Sequence, residues 1–290
     1  MKVEDVKQLL VVGAGIMGSG IAQTAATTGL SVTMCDVSEE YLDQAKANIR
    51  RRLDRAVQRE KLTQDQANQV YQRLQGSTNL EEAAKSADFV VEAVTENLRI
   101  KQQIFEILSQ NTKPDVILAS NTSSISITLL AASTTKPDKV IGMHFFNPVP
   151  IMKLVEIING YHTTAEVYQL TENLAKKMGK DTVKAEESPG FIVNRMLVPM
   201  LNEAIFLLQE GVASKEDIDK AMKLGLNHPM GPLTLADFVG LDTLLAIGDV
   251  LYEEFRDSKY RPPLLLRKMI RAGMYGKKTG KGFYDYTKNK

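Results

Sequence analysis

Three of the 290 residues are histidine, and one of them stands where acid–base chemistry could be done. His144 lies near the end of an apolar run at 139–145, KVIGMHF, beside Phe145 and Phe146, and Asn147-Pro148 follows at once. Near neutral pH an imidazole is the side chain best suited to take a proton from a hydroxyl and return it. Glu156 comes twelve residues later, inside a second apolar run, KLVEII. The segment 147–152 holds two prolines, Pro148 and Pro150, and can reverse the chain to lay the second run beside the first. A carboxylate on one ring nitrogen would then fix the tautomer, orient the ring and stabilise its protonated form. His162, in the turn NGYHTT, and His228, before a proline in NHPMG, read as surface or capping residues. The other reading of His144 is a core histidine packed between phenylalanines.

A second group of residues suits a phosphate. Gly13, Gly15 and Gly18 form G-x-G-x-x-G between an apolar run and a helix-like one. The first glycine permits a tight turn, the second lets a pyrophosphate approach the backbone, and the third lets helix pack on strand. Ile16 and Met17 open the helix, whose N–H groups and partial positive charge favour an anion. Such a turn can also serve packing alone. Asp36, about 20 residues on at the end of the next strand, is placed to accept from a ribose 2′-hydroxyl and to repel a 2′-phosphate. Helix capping is the competing role for Asp36, but Ser38 fills that role better. The expected cofactor is NAD rather than NADP, and no metal enters the reading.

These groups need a frame. QLLVVGAG, SVTMCD, DFVVEAV, DVILAS and KVIGMHF read as strands separated by helix-like segments, the pattern of a parallel sheet covered on both faces. Residues 38–75 hold more helix than a crossover requires, with Ser38 and Thr63 as N-caps and Gln66 completing a capping box. They read as a protruding helical hairpin. After DTVKAEESPGF the texture changes: FIVNRMLVPMLNEAIFLLQEG and SKEDIDKAMKLG are helices, and no alternating strand follows. The expected architecture is an α/β Rossmann-type domain over 1–186 and an all-α domain over 187–290. A net charge of +1 and a hydrophobic content of 43% give no whole-protein field for nucleic acid or membrane. The single Cys35 fits a reducing compartment. The start MKVEDVKQLLVVGAG has neither a signal nor a transit pattern, and no apolar run is long enough to span a bilayer. A cytoplasmic protein is expected.

SNTSS, GMHFFNPVPIMKLVEII and SPGFIVNRMLVP, in that order behind the glycine-rich turn, resemble the L-3-hydroxyacyl-CoA dehydrogenase family. LNHPMGPLTLADFVGLD and GKKTGKGFYDY match it as well, so the resemblance covers essentially the whole chain. The length is similar to the monofunctional bacterial branch acting on 3-hydroxybutyryl-CoA. The resemblance implies reversible oxidation of an L-3-hydroxyacyl-CoA by NAD, with His144 as acid/base and Glu156 as its partner. It adds Ser123 and Asn194 as groups holding the reacting end of the substrate. Glu96, Lys101, Ser123, Asn147 and Lys278 would line the nicotinamide side, and the C-terminal helices would bury one another across a homodimer. Without the resemblance, Ser123 reads as a loop cap, Asn194 as a solvated first-turn residue, Glu96 as a helix-start acid and Lys101 as a solvated charge.

Residues 46–61, KANIRRRLDRAVQREK, carry seven basic side chains against Asp54 and Glu60. The plain reading is a solvated helix face. Coenzyme A carries its phosphates far from its thioester, and guanidinium groups such as those of Arg52 and Arg59 suit them. The family has a serine and a lysine at the positions aligned with these two arginines. Two rivals stay open: a related dehydrogenase of a free sugar acid, with no need of that basic platform, and a non-enzymatic NAD-binding protein.

Overall fold

β1 (Gln8–Val12) buries four of its five residues, as a strand covered on both faces must. In the computed structural model, which describes residues 2–287, it lies inside an eight-stranded sheet. The others are β2 (Ser31–Cys35), β3 (Leu74–Ser77), β4 (Phe89–Glu92), β5 (Ile117–Ser120), β6 (Val140–Phe145), β7 (Leu154–Asn159) and β8 (Asp181–Glu186). The order is β3-β2-β1-β4-β5-β6-β7-β8. All neighbouring pairs are parallel except β6 with β7, so the last two strands run opposite to the first six. Strand order reverses between β1 and β4, and a crevice opens there at the carboxyl ends of the strands.

Helices α1 (Ile16–Thr27), α2 (Glu39–Gln58), α3 (Gln64–Gln72), α4 (Leu80–Lys85), α5 (Leu98–Asn111), α6 (Ile127–Ala132) and α7 (Ala165–Lys177) connect these strands. Ser38 caps α2 by accepting from the Tyr41 N–H, and Thr63 with Gln66 forms the capping box of α3. The α2–α3 pair buries Leu42, Ala45, Ile49, Leu53, Ala67 and Val70 in the same core as β1 and β4. Its inner face is therefore packed, and only the outer face and the tip near Arg59 and Glu60 are exposed. Two strands escaped the sequence reading: β8, which buries only Ala185, and β3, since from Leu74 the chain is already strand, not hairpin. That edge strand has four residues and buries only Leu74, so it carries no alternating apolar signal.

The chain divides into two compact units, Met1–Ser188 and Pro189–Lys290. The second unit consists of α8 (Val193–Gln209), α9 (Lys215–Gly225), α10 (Pro232–Val239), α11 (Leu241–Phe255) and α12 (Leu264–Arg271). Val198, Leu201, Ile205, Leu233, Leu241, Leu244, Leu251 and Leu266 form its core. The C-terminal GKGFYDY segment is tied to Asp237, which accepts from the Phe283 and Tyr284 N–H groups and the Tyr286 hydroxyl. A side chain at Gly282 would put its Cβ 1.9 Å from Asp237 Oδ1, so glycine there is a packing requirement. Among the described residues no helix is long and apolar enough to cross a membrane.

Candidate active site

The crevice begins at the glycine-rich turn. Gly13 has φ +101°, and a Cβ on it would lie 2.7 Å from the Ala93 carbonyl oxygen. A Cβ on Gly18 would lie 1.8 Å from the Gly13 carbonyl, so the third glycine lets α1 seat against the turn. Gly15 differs: nothing lies within 4 Å of the added Cβ. It is also the N-cap of α1 and supplies no side-chain cap, which leaves that helix end to an outside acceptor. Ile16 beyond it is 73% exposed, and Met17 is half-buried against the core. Asp36 follows β2 and accepts from the Ala14 N–H at 2.6 Å and the Val37 N–H at 2.7 Å. Each oxygen keeps acceptor capacity for a ribose hydroxyl. Open space at the middle glycine, a helix end without a cap and a carboxylate at the next strand end fit a dinucleotide.

His144 and Glu156 are brought together by strand pairing. In the antiparallel β6–β7 ladder they are direct partners, between Met143↔Ile157 and Phe145↔Val155. Residues directly opposite project to the same face, which makes the side-chain contact automatic. His144 Nδ1 lies 2.7 Å from Glu156 Oε2, with His144 buried and Glu156 fully so. Phe146 packs on the imidazole at 4.6 Å between ring centroids. The carboxylate on Nδ1 orients the ring, and an imidazole so held can exchange a proton through its other nitrogen, Nε2. The turn after β6 contains the exposed Asn147, joined to Pro148 by a cis peptide bond. Buried Lys180 ties this turn down, its ammonium donating to the Val149 carbonyl and, at 2.8 Å, to that of Met152.

Between these two regions lies a cluster of charges at the ends of β4 and β5. Glu92 is fully buried; its Oε1 accepts from Lys101 Nζ at 2.6 Å and the Val94 N–H at 2.7 Å, and its Oε2 from the Ser120 hydroxyl at 2.6 Å. Lys101, read from sequence as solvated, is 1% exposed. Its ammonium also lies 3.4 Å from Glu96 Oε2. Glu96 Oε1 gathers the 122–124 loop: the Thr122 hydroxyl at 2.6 Å, the Ser123 and Ser124 N–H groups at 2.9 and 3.1 Å, and both serine hydroxyls at 3.2 and 3.1 Å. Five donors exceed what one oxygen serves well, so the Ser123 hydroxyl, the longest of them, is free to turn to a ligand. Burial pushes the Glu96 carboxyl up, but Lys101 and the hydrogen bonds from Thr122, Ser123 and Ser124 outweigh it and hold the group below the usual carboxylate range.

The structure thus collects Gly13, Gly15, Gly18, Asp36, Glu96, Lys101, Ser123, Asn147, His144 and Glu156 along one sheet edge of the first unit. Asn194 and Lys278 belong to the second unit. Asn194 is in the first turn of α8 and is buried, not solvated; exposed Lys278 pairs with Asp242 at 2.6 Å. Arg52 and Arg59 part company. Arg52 is half-buried, its Nε donating to Gln23 Oε1 at 2.6 Å and its Nη2 to Ser19 Oγ at 3.3 Å, so it ties α2 to α1. Burial also pushes its guanidinium down from its ordinary value. Arg59, at the end of α2, is exposed. Sequence reading missed Glu92, Ser120, Lys180 and Asn121, whose Oδ1 accepts from the Phe145 N–H at 2.9 Å. The one signal was Glu92 itself, a carboxylate inside the apolar run FVVEAV that must find partners if buried.

Residues 8–188 match the family model described as 3-hydroxyacyl-CoA dehydrogenase, NAD binding domain, and residues 190–286 match its C-terminal domain. A probable 3-hydroxybutyryl-CoA dehydrogenase of Bacillus subtilis (strain 168) is 52% identical over 282 residues, covering 97% of this chain and 98% of the relative. A 3-hydroxybutyryl-CoA dehydrogenase of Clostridioides difficile is 49% identical over 281 residues, covering 97% and 100%. The crystal structure of (S)-3-hydroxybutyryl-CoA dehydrogenase from Ralstonia eutropha superposes with a TM-score of 0.94 at 49% identity, covering 98% of this chain and all of that one.

Proposed function

Because the chain belongs to the 3-hydroxyacyl-CoA dehydrogenase family of NAD-dependent oxidoreductases, we propose that it interconverts a short-chain L-3-hydroxyacyl-CoA, 3-hydroxybutyryl-CoA first of all, and the 3-ketoacyl-CoA. The observation that carries this reading is the buried His144–Glu156 pair at 2.7 Å beside the dinucleotide crevice. Bound NAD supplies the hydride acceptor for C3. His144 Nε2 takes the proton of the C3 hydroxyl as the carbon–oxygen double bond forms, and Glu156 stabilises the resulting imidazolium. In the reverse direction the imidazolium returns that proton to the ketone oxygen. Ser123 holds the reacting oxygen from the 122–124 loop. Asn147 and Glu96, the latter held by Lys101, orient the cofactor's nicotinamide side.

The short acyl chain is supported by the names of the relatives above, and their bacterial sources support a cytoplasmic location. The helical unit would serve as the dimer contact: Met196, Val212, Leu224, Leu226 and Leu264 are exposed apolar residues on it. Initial rates of NADH oxidation with acetoacetyl-CoA, longer 3-ketoacyl-CoAs and free 3-keto acids test the proposal. Turnover of free acids in preference to thioesters would transfer the chain to the sugar-acid reading. Binding of NAD without turnover of either class would leave a non-enzymatic NAD-binding protein.

A further inference from the structure

The cluster at the ends of β4 and β5 contains two carboxylates and one ammonium. Both oxygens of Glu92 face donors, and Glu96 Oε1 accepts two backbone N–H groups, the environments of ionised carboxylates. Ser120 confirms the direction at Glu92, since its oxygen accepts from the Thr122 N–H and its proton is left for the carboxylate. Lys101 uses all three ammonium protons, toward Glu92 Oε1, Glu96 Oε2 and, at 3.4 Å, the Val94 carbonyl. One cation between two anions leaves a net negative charge. Glu92 and Lys101 are both buried away from any ligand, so the contribution of Glu92 is to hold Lys101 and to set that charge.

Asp36 beyond β2 marks the adenosine half of the crevice. The other half of a dinucleotide crossing the glycine-rich turn must run over the ends of β4, β5 and β6, where this cluster stands. The nicotinamide ring carries a positive charge when oxidised and none when reduced. We propose that Glu92 is a positioning residue which, through Lys101 and Glu96, keeps one net negative charge beneath the nicotinamide and so shifts cofactor binding toward NAD+ relative to NADH. The inference rests on the NAD reading of the crevice and extends it to the redox state that the site prefers.

The test is the ratio of the dissociation constants for NAD+ and NADH, measured by calorimetry on the protein without substrate. Glu92→Gln keeps the shape and removes the charge, so Kd for NAD+ should rise about five- to tenfold more than Kd for NADH, the scale of one partly screened charge at short range. Glu96→Gln removes one charge at the exposed end and should shift the ratio in the same direction. The double variant Glu92→Gln/Lys101→Met restores the net charge and should return the ratio to that of the wild type. A residue with a purely structural role would weaken both forms alike, and an unchanged ratio in Glu92→Gln overturns the proposal. If Glu92→Gln does not fold, the double variant, which buries no charge, is compared with Glu96→Gln; equal ratios in those two overturn it as well. Failure of the underlying NAD reading looks different: the wild type would bind neither form, or would prefer the phosphorylated cofactor.

Discussion

Glu156 stands directly across the β6–β7 ladder from His144, and its Oε2 lies 2.7 Å from the ring Nδ1. The single antiparallel pairing in the sheet is the one that makes this contact. Had the chain returned by a parallel crossover, Glu156 would have needed a connection of a dozen or more residues to reach the same place. Two antiparallel strands set the imidazole and its carboxylate by register, and neither residue lies on the loop between them.

His144→Gln should lower turnover by about 10²- to 10⁴-fold, the usual contribution of a positioned acid/base, while NADH affinity stays nearly intact. In Glu156→Gln the imidazolium formed during oxidation loses its stabilising carboxylate, so turnover should fall while NADH affinity holds. Steady-state rates and cofactor titrations on both variants check this; full turnover in Glu156→Gln would reduce Glu156 to a packing role.

Asp36→Ala removes the acceptor of the Ala14 N–H together with the carboxylate offered to a ribose. Affinity for NAD should fall about 10- to 100-fold, the scale of a lost charged hydrogen bond. NADP, relieved of a repulsive charge, should lose less or gain. Titrations of both cofactors against wild type and variant decide the matter, and a wild type already preferring NADPH would refute the assignment.

Glu96 gives the site a dependence on acid. Its folded carboxyl titrates below the ordinary 4.5, so its contribution to stability is complete above that value and is lost as pH falls through the depressed one. Wild type should exceed Glu96→Gln by about 1 kcal/mol at pH 7, a modest figure because the group is partly exposed and screened. Denaturant unfolding at pH 7 and pH 3 should show the difference closing. A gap that persists at pH 3 would have to come from packing of the 122–124 loop.

The basic helix face divides into two kinds of arginine. Arg59→Ala should raise KM for acetoacetyl-CoA and leave a truncated thioester without the nucleotide unaffected, and the effect should shrink as salt rises. Arg52→Ala removes the tie to Gln23 and Ser19, so it should lower thermal stability and affect both substrates. Rates on the two thioesters at low and high salt, beside melting curves, separate the roles. Equal losses for Arg59→Ala on both thioesters would make it a residue of the fold.

Much of this protein is written in local pattern. The glycine-rich turn, Asp36 at a strand end, the Ser38 and Thr63 caps and the two-class division into sheet and helices all depend on neighbours within a few residues, where spacing and residue type speak directly. The His144–Glu156 contact was legible for the same reason, since two apolar runs and a proline turn leave little choice of pairing. Lys101 and Arg52 were not legible. Each sits on a helix among other charged residues, and each is turned inward by a partner that local pattern does not name: Glu92 at the end of another element, and Gln23 on α1. Periodicity records which face of an element is buried, not which charge waits across the gap. A buried charge takes its partner from whichever strand ends and loops lie next to it, and that adjacency is set only when the sheet order places β4 beside β1 and β5. Sequence alone therefore determined the reagents of the site, and the tertiary structure decided which of them hold one another in place.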